Sequence, residues 1–207
     1  GVIHPSNGNV TYDNKKELSG IVNYADETVT ANLPEGSKDV YVLVFKTSLE
    51  GTVIGSGTYS NKAIYQTNGD TMDLSASATV ANGGVYGAKS GAVDSENSNF
   101  VNWKVKLNPS QSTISDFKIV DKPSNNQIID ESSITIYETT VAANGNITKK
   151  ANAKLVKDVD YKLDIITDNE TGKQEMTLNF LSNISKAYIL EYRTLISSNK
   201  AHDEVNN

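Results

Sequence analysis

Apolar and polar residues alternate along much of the chain. The clearest example is the run Val101-Asn102-Trp103-Lys104-Val105-Lys106-Leu107. Similar alternation occurs at residues 28–33, 71–80, 161–165 and 176–180. A period of two predicts β-strands with one buried and one solvent-exposed face. Helical periodicity is almost missing, so the alternation predicts an all-β protein.

Turn residues separate these segments. Residues 40–45 form a continuous β-branched and aromatic run, which predicts a strand buried on both faces. Further strands are expected at 52–60 and 62–66. Residues 168–172 (Asp-Asn-Glu-Thr-Gly) lie between two alternating segments and predict a hairpin. Short strands with turn signals between them favour an antiparallel sandwich.

A glycine-rich patch, Asn82-Gly83-Gly84, indicates a break between two domains. We therefore predict a β-rich N-terminal domain at residues 1–84 and a second domain at residues 85–207. A chain of 207 residues is long enough for two such domains, each with its own core.

Composition excludes several classes of function. The net charge is −6 and Arg193 is the only arginine, so a nucleic-acid partner is not expected. Cysteine is absent, so no disulfide is expected. The sequence contains no run of 18 apolar residues, so no membrane-spanning segment is predicted. His4 and His202 are the only histidines, and no His, Asp and Glu set has the spacing of metal ligands. Neither a metal nor a cofactor is predicted.

Two charged residues fall on apolar faces. Asp121 is in phase with Phe117 and Ile119. A carboxylate on that side is unfavourable unless it is paired or protonated. Lys89 is in phase with Val85, so its amine can also point inward, where burial favours the neutral, nucleophilic form of a lysine.

These residue types can form a covalent cross-link without a cofactor. A lysine amine and an asparagine carboxamide can join as an amide and release ammonia, with a carboxyl group as acid and base. Lys89, Asn206 and Asp121 are the candidates for these three roles. A rigid sandwich would contribute proximity, worth about 7–11 kcal/mol in well-aligned reactions. The simpler alternative is a solvated Lys89, a turn residue at Asp121 and a frayed terminus, and Asn207 is a rival to Asn206.

Several motifs occur in a fixed order over about 120 residues: Lys89-Ser90-Gly91, Val101-Asn102-Trp103-Lys104-Val105-Lys106-Leu107-Asn108, Phe117-Lys118-Ile119-Val120-Asp121, Tyr188-Ile189-Leu190-Glu191-Tyr192-Arg193-Thr194, and Val205-Asn206. In this order and spacing, residues 85–207 resemble the collagen-binding-type adhesin domain of Gram-positive surface proteins. Residues 1–84 precede it as the companion domain does in two-domain adhesins.

The resemblance implies an immunoglobulin-like antiparallel β-sandwich, in two tandem domains, and no enzymatic activity beyond closing its own cross-link. It implies an isopeptide bond between Lys89 and Asn206, with Asp121 as its acid and base. It also implies an extracellular, cell-wall-anchored adhesin that binds a host matrix protein, with collagen the expected partner. Binding would use the gap between domains or the outer face of the tryptophan strand.

That outer face carries Asn102, Lys104 and Lys106, which are the candidate ligand-binding residues. The lysines can meet an acidic ligand or keep the sheet soluble. Two other functions stay open: a stalk or pilin subunit without a ligand, and a carbohydrate-binding module. The carbohydrate function needs an exposed aromatic platform, and Trp103 is in phase with the apolar residues of its strand.

Overall fold

The computed structural model describes residues 2–6, 9–13 and 18–197, with side chains described from residue 18 onward. These residues form antiparallel sheets, with one 3-10 helix at Glu131–Ser133. The predicted all-β, antiparallel fold class is confirmed. The chain divides into two compact units, residues 1–48 and residues 49–207. In the described part of the chain, no helix has the length and apolar content needed to cross a membrane.

The first unit contains short strands: β1 (Val2–Ser6), β2 (Asn9–Asp13), β3 (Val22–Ala25), β4 (Thr28–Ala31) and β5 (Val40–Tyr41). They form a sheet in the order β2-β1-β5 and a separate β3-β4 hairpin.

The predicted doubly buried strand at residues 40–45 is wrong. Only Val40–Tyr41 is a strand, and Val44 is 66% exposed. None of the described side chains of residues 18–48 is fully buried, so no second layer covers this apolar run. A β-branched run favours a strand only where neighbouring strands and a packing layer are available.

The second unit contains the remaining strands: β6 (Thr58–Thr67), β7 (Asp70–Thr79), β8 (Gly87–Val93), β9 (Phe100–Leu107), β10 (Lys118–Asp121), β11 (Gln127–Ile129), β12 (Thr135–Val141), β13 (Ile147–Lys154), β14 (Tyr161–Thr167), β15 (Gln174–Phe180) and β16 (Tyr188–Ile196). A six-stranded sheet has the order β13-β12-β16-β9-β8, with β11 also paired to β16. A three-stranded sheet has the order β10-β15-β14.

These two sheets pack as a sandwich around one hydrophobic core. The core takes residues from both sheets and from two connecting segments: Val101, Trp103, Val105, Leu107, Ile129, Ile134, Ile136, Tyr161, Met176, Leu178, Phe180, Ile184, Tyr188, Leu190 and Tyr192. Along β9 the buried residues alternate with exposed ones, as the period of two predicted. The β14-β15 hairpin was also predicted correctly.

The β6-β7 hairpin differs from the predicted strands at 52–60 and 62–66. Its register is continuous from Thr58 opposite Thr79 to Thr67 opposite Asp70. A two-residue turn, Asn68-Gly69, joins the strands with positive φ at both residues. Such a turn specifies a tight hairpin. The chain therefore forms one strand at Thr58–Thr67 where separate strands at 52–60 and 62–66 were predicted.

Residues 49–57 pack against the sandwich although they precede the glycine-rich patch. Ile54 is 6% exposed, and its backbone N–H donates to Ser112 Oγ at 2.8 Å. The N–H of Thr113 donates to the carbonyl of Thr52 at 2.8 Å. The boundary predicted near residue 84 thus lies inside the second compact unit, and as a boundary between functional domains it stays a prediction.

Candidate functional site

Lys89 and Asp121 meet between the two sheets. Lys89 lies on β8, at one edge of the six-stranded sheet, and Asp121 lies on β10, at one edge of the three-stranded sheet. The Lys89 Nζ atom donates to Asp121 Oδ1 at 2.9 Å and to Oδ2 at 2.8 Å. Their side chains are 24% and 8% exposed. A partly buried ion pair therefore bridges the edges of the sandwich.

Aromatic rings enclose this pair. The Lys89 Nζ atom lies 4.9 Å from the centroid of the Trp103 ring and 5.6 Å from that of Tyr192, both within cation–π range. The Tyr192 hydroxyl donates to Asp121 Oδ2. Trp103 is itself held by a hydrogen bond of 2.9 Å from its Nε1 to Thr194 Oγ1. The charged pair thus has aromatic neighbours on the core side, one of which is itself held by a hydrogen bond.

Burial changes the chemistry of the amine. Desolvation lowers the pKa of Lys89 below its ordinary value, and the hydrogen bond and charge of Asp121 offset only part of that effect. A lysine whose pKa is lowered spends more time as the neutral amine, which is the nucleophilic form.

Gly91 explains the sequence around the lysine. A Cβ atom on Gly91 would lie 2.4 Å from Cζ3 and 2.5 Å from Cε3 of Trp103, so the ring occupies the space that a side chain would need. Lys89 and Gly91 share one face of β8 because they are two residues apart. The glycine therefore allows Trp103 to lie beside the lysine.

The structure brings together two of the three residues predicted to form the cross-link. Asn206 and its rival Asn207 lie outside the described residues. The roles of Lys89, Asp121 and Asn206 in an isopeptide bond stay a prediction.

The outer face of the six-stranded sheet carries an open groove of about 510 Å³. Asn102 and Lys104 line it, whereas Lys106 is exposed on the same strand beyond the groove. The Asn102 amide donates to Asp94 Oδ2 at 2.7 Å, and Lys104 Nζ lies 4.0 Å from Glu191 Oε1. Two of the three predicted ligand-binding residues thus lie together in a concave surface.

Sequence reasoning missed Arg193 as a residue of this surface. Its guanidinium lies 4.4 Å from the Phe100 ring centroid, and its Nε donates to Asp130 Oδ2 at 2.7 Å. Hydrogen bonds from Ser132 and from Arg193 hold the pKa of Asp130 below its ordinary value. Along β16, Tyr192 and Thr194 are buried and Arg193 between them is exposed. The period of two along this strand was the available signal that the Arg193 side chain faces outward.

Comparison with known families gives one match. The sequence profile of the collagen binding domain family matches residues 86–207, more than half of the chain. A comparison with curated proteins gave no match.

Several solved structures are similar to this chain. The collagen binding subdomain of the Enterococcus faecalis surface protein ACE is 19% identical, with a TM-score of 0.42, over 57% of this chain and 77% of that one. The collagen-binding domain from a Staphylococcus aureus adhesin is 22% identical, with a TM-score of 0.38, over 56% and 78%. The collagen binding domain of the Erysipelothrix rhusiopathiae surface protein RspB is 13% identical, with a TM-score of 0.38, over 69% and 45%. The present chain thus spans less than half the length of the RspB structure.

Proposed function

The chain belongs to the collagen binding domain family, and on that premise we propose that residues 86–207 bind collagen as part of an adhesin. The family match is the observation that carries this proposal. The family consists of binding domains rather than enzymes, so the function proposed is recognition of an extracellular matrix protein.

The groove on the outer sheet face is the proposed contact surface. Asn102, Lys104 and Arg193 place hydrogen-bond donors along it, and Glu191 adds an acceptor. Polyproline II chains such as those of collagen form no hydrogen bonds within a chain, so the backbone carbonyls that are not bonded to a neighbouring chain are acceptors for such donors. An open groove lined by residues of several strands suits an elongated ligand better than a compact one.

Binding to immobilised collagen tests this proposal. We expect saturable binding to native triple-helical collagen, and a loss of affinity of roughly tenfold or more for Arg193→Ala, because arginine is enriched among residues that dominate interfaces. Lys62→Ala is the matched control, since Lys62 forms an exposed ion pair of 2.8 Å with Asp73 on the β6-β7 hairpin, away from the groove strands. Equal binding by both variants, or no saturable binding by the wild type, would contradict the proposed surface.

We also propose that the protein is displayed outside the cell and anchored to a Gram-positive cell wall. The supporting observations are the family match and the description of two similar structures as domains of surface proteins. An adhesin must present its binding face to the host matrix.

The Lys89–Asp121 contact supports the proposed isopeptide bond. The neutral Lys89 amine would attack the carboxamide carbon of Asn206, and Asp121 would carry protons from the amine to the leaving nitrogen. One ammonia is released for each amide formed. The amine and the acid–base group are already in hydrogen-bonding contact, so the proposal needs only the carboxamide beside them.

Intact-mass measurement tests the bond directly. The measured mass of the wild-type protein should be lower by one ammonia than the mass calculated from its sequence. Lys89→Ala and Asp121→Ala should each have the full mass calculated for the variant. Asn206→Ala and Asn207→Ala form a matched pair, because only the variant that removes the reacting carboxamide should keep the ammonia. A wild type at full sequence mass would exclude the bond in this chain.

A ligand-free stalk is the second candidate function. The cross-sheet ion pair between Lys89 and Asp121 would resist separation of the two sheets under force, and the proposed amide would add a covalent tie between β8 and residue 206. Amide formation without saturable binding to collagen would favour the stalk. Trp103 cannot be the aromatic platform that a carbohydrate-binding module needs, because it is only 8% exposed and belongs to the core.

A further inference from the structure

Tyr192 is a buried polar residue that the predicted cross-link does not use. It is 3% exposed and lies on β16, in the middle of the six-stranded sheet. Its hydroxyl donates a hydrogen bond to Asp121 Oδ2, across the sandwich. The sheet's central strand therefore reaches the carboxyl group at the edge of the opposite sheet.

The backbone holds this tyrosine firmly. Tyr192 is directly opposite Trp103 in the β9-β16 ladder, and the Lys89 amine lies within 6 Å of both ring centroids, at 4.9 Å from Trp103 and 5.6 Å from Tyr192. Buried aromatic side chains on a central strand have little freedom to move. The phenol is a fixed point from which the carboxyl group can be oriented.

We propose that Tyr192 is a positioning residue for the amide-forming step, holding the Asp121 carboxyl group so that Oδ1 carries the transferred proton. This inference rests on the proposed isopeptide bond. The phenol hydrogen bond occupies Oδ2 and restricts rotation of the carboxyl group. The Lys89 amine contacts both oxygens, at 2.9 Å to Oδ1 and 2.8 Å to Oδ2, but the tyrosine donates to Oδ2 and leaves Oδ1 to the lysine.

The proton balance of the step is simple. A proton moves from the Lys89 ammonium to Asp121 Oδ1 and leaves a neutral amine. The amine forms a bond to the asparagine carboxamide carbon, and its second proton and the proton on Oδ1 both pass to the leaving nitrogen as the tetrahedral intermediate collapses. The old C–N bond breaks and the nitrogen leaves as ammonium, that is, ammonia with the proton that came from the lysine ammonium, so the carboxyl and phenol groups end in the states in which they began.

Few other groups can supply these protons. Among the described residues, the titratable side chains in hydrogen-bonding contact with Asp121 are Lys89 from β8 and Tyr192 from β16. On β15, the residue paired with Asp121 is Met176, which is fully buried and does not titrate. The orientation of the carboxyl group thus depends on the lysine and the phenol.

Tyr192→Phe tests the proposal because it removes the hydroxyl and keeps the ring. Full-length chain is recovered in urea from inclusion bodies, refolded by dilution at a series of pH values, and followed by intact mass for loss of ammonia. The rate of ammonia loss is divided by the folded fraction at each pH. The fluorescence of Trp103, the only tryptophan in the sequence, measures that fraction. Tyr188→Phe is the matched control, since Tyr188 is a buried tyrosine on the same strand, with its ring 5.0 Å from that of Phe180.

We expect Tyr192→Phe to form the amide roughly tenfold or more slowly than the wild type at every pH of the series, and Tyr188→Phe to form it at the wild-type rate. Equal normalised rates of ammonia loss for Tyr192→Phe and the wild type would overturn this inference alone. A wild type that folds but never loses ammonia would overturn the proposed bond, and this inference with it.

Discussion

At the scale of single residues, the ring of Trp103 occupies the space in which a side chain at position 91 would begin. Strand β8 can approach the ring only because residue 91 has no Cβ. The same ring forms one wall beside the Lys89 amine. One glycine on the edge strand therefore affects both the packing of the core and the environment of the candidate nucleophile.

Gly91→Ala should lower the free energy of unfolding by about 1–3 kcal/mol, because the added methyl group overlaps the Trp103 ring and forces ring or strand to move. Urea unfolding followed by tryptophan fluorescence measures the effect. Gly87→Ala is the control on the same strand, since a Cβ there meets nothing closer than the carbonyl oxygen of Lys106 at 3.8 Å. Equal losses for the two variants would show that overlap with the ring is not the cause.

At the scale of elements, β13 is an edge strand that is joined to β12 by an ion pair as well as by backbone hydrogen bonds. Glu138 on β12 accepts hydrogen bonds from Lys186 at 2.7 Å and from Lys150 on β13 at 3.4 Å. The hydrogen bond from Lys186 is the largest cause that holds the pKa of Glu138 below its ordinary value. Sequence alternation did not predict β13, because its exposed, lysine-rich residues show no buried face. Such residues are typical of edge strands, which must avoid pairing with other chains.

Glu138→Gln should therefore reduce stability in a pH-dependent way. The folded protein binds a proton at Glu138 less readily than the unfolded chain does, so this contribution is present above the ordinary glutamate pKa and is lost as the pH falls through the lower folded value. Because Glu138 is partly exposed, we expect a loss of only about 0.5–1 kcal/mol at neutral pH.

Thermal unfolding of Glu138→Gln across the acidic range checks the sign. The difference from the wild type should shrink towards zero as the pH falls. Glu170→Gln, in the exposed turn between β14 and β15, is the control and should show little difference at any pH. A Glu138→Gln difference that grows on acidification would contradict the assigned cause.

At the scale of the whole molecule, the second compact unit includes a segment that the family match leaves out. That match begins at residue 86, but Ile54 is buried in the unit and donates a backbone hydrogen bond to Ser112. Asn108 organises the same loop, with its amide donating to the carbonyl oxygens of Ser112 at 2.8 Å and Lys186 at 3.1 Å. Residues before the recognised sequence thus contribute to the packing of the sandwich.

A fragment of residues 49–207 should therefore melt at a higher temperature than a fragment of residues 86–207, which lacks the buried segment. Ile54→Ala in the longer fragment should account for part of the difference, with a loss of about 2 kcal/mol or more from an emptied buried site. Circular dichroism during heating measures both. Equal melting temperatures would instead support an independent domain that begins near the predicted boundary at residue 84.

The sequence was informative wherever structure depends on local spacing. Alternation correctly predicted which residues of β9 face the core and placed Asp121 on the inner side of β10. The prediction of a buried strand at residues 40–45 was wrong. An apolar run indicates that burial would be favourable, but it does not show whether a second layer is available to cover the strand. The bounds of β6 were missed for a different reason. The Asn68-Gly69 turn sets the register of the whole hairpin, and this turn was not used to predict where the strand begins and ends.

The inward direction of Lys89 and Asp121 follows from periodicity, which each strand carries in its own residues. Their contact across the sandwich, the phenol of Tyr192 on Asp121 and the groove that contains Arg193 depend on which strands become neighbours. Where paired strands are far apart in the chain, no turn fixes their register, and it comes instead from the hydrophobic pattern and the packing of the core. For that reason Lys89 and Asp121 could be selected as candidates from residue type and spacing, whereas their contact became visible only in the assembled sheets.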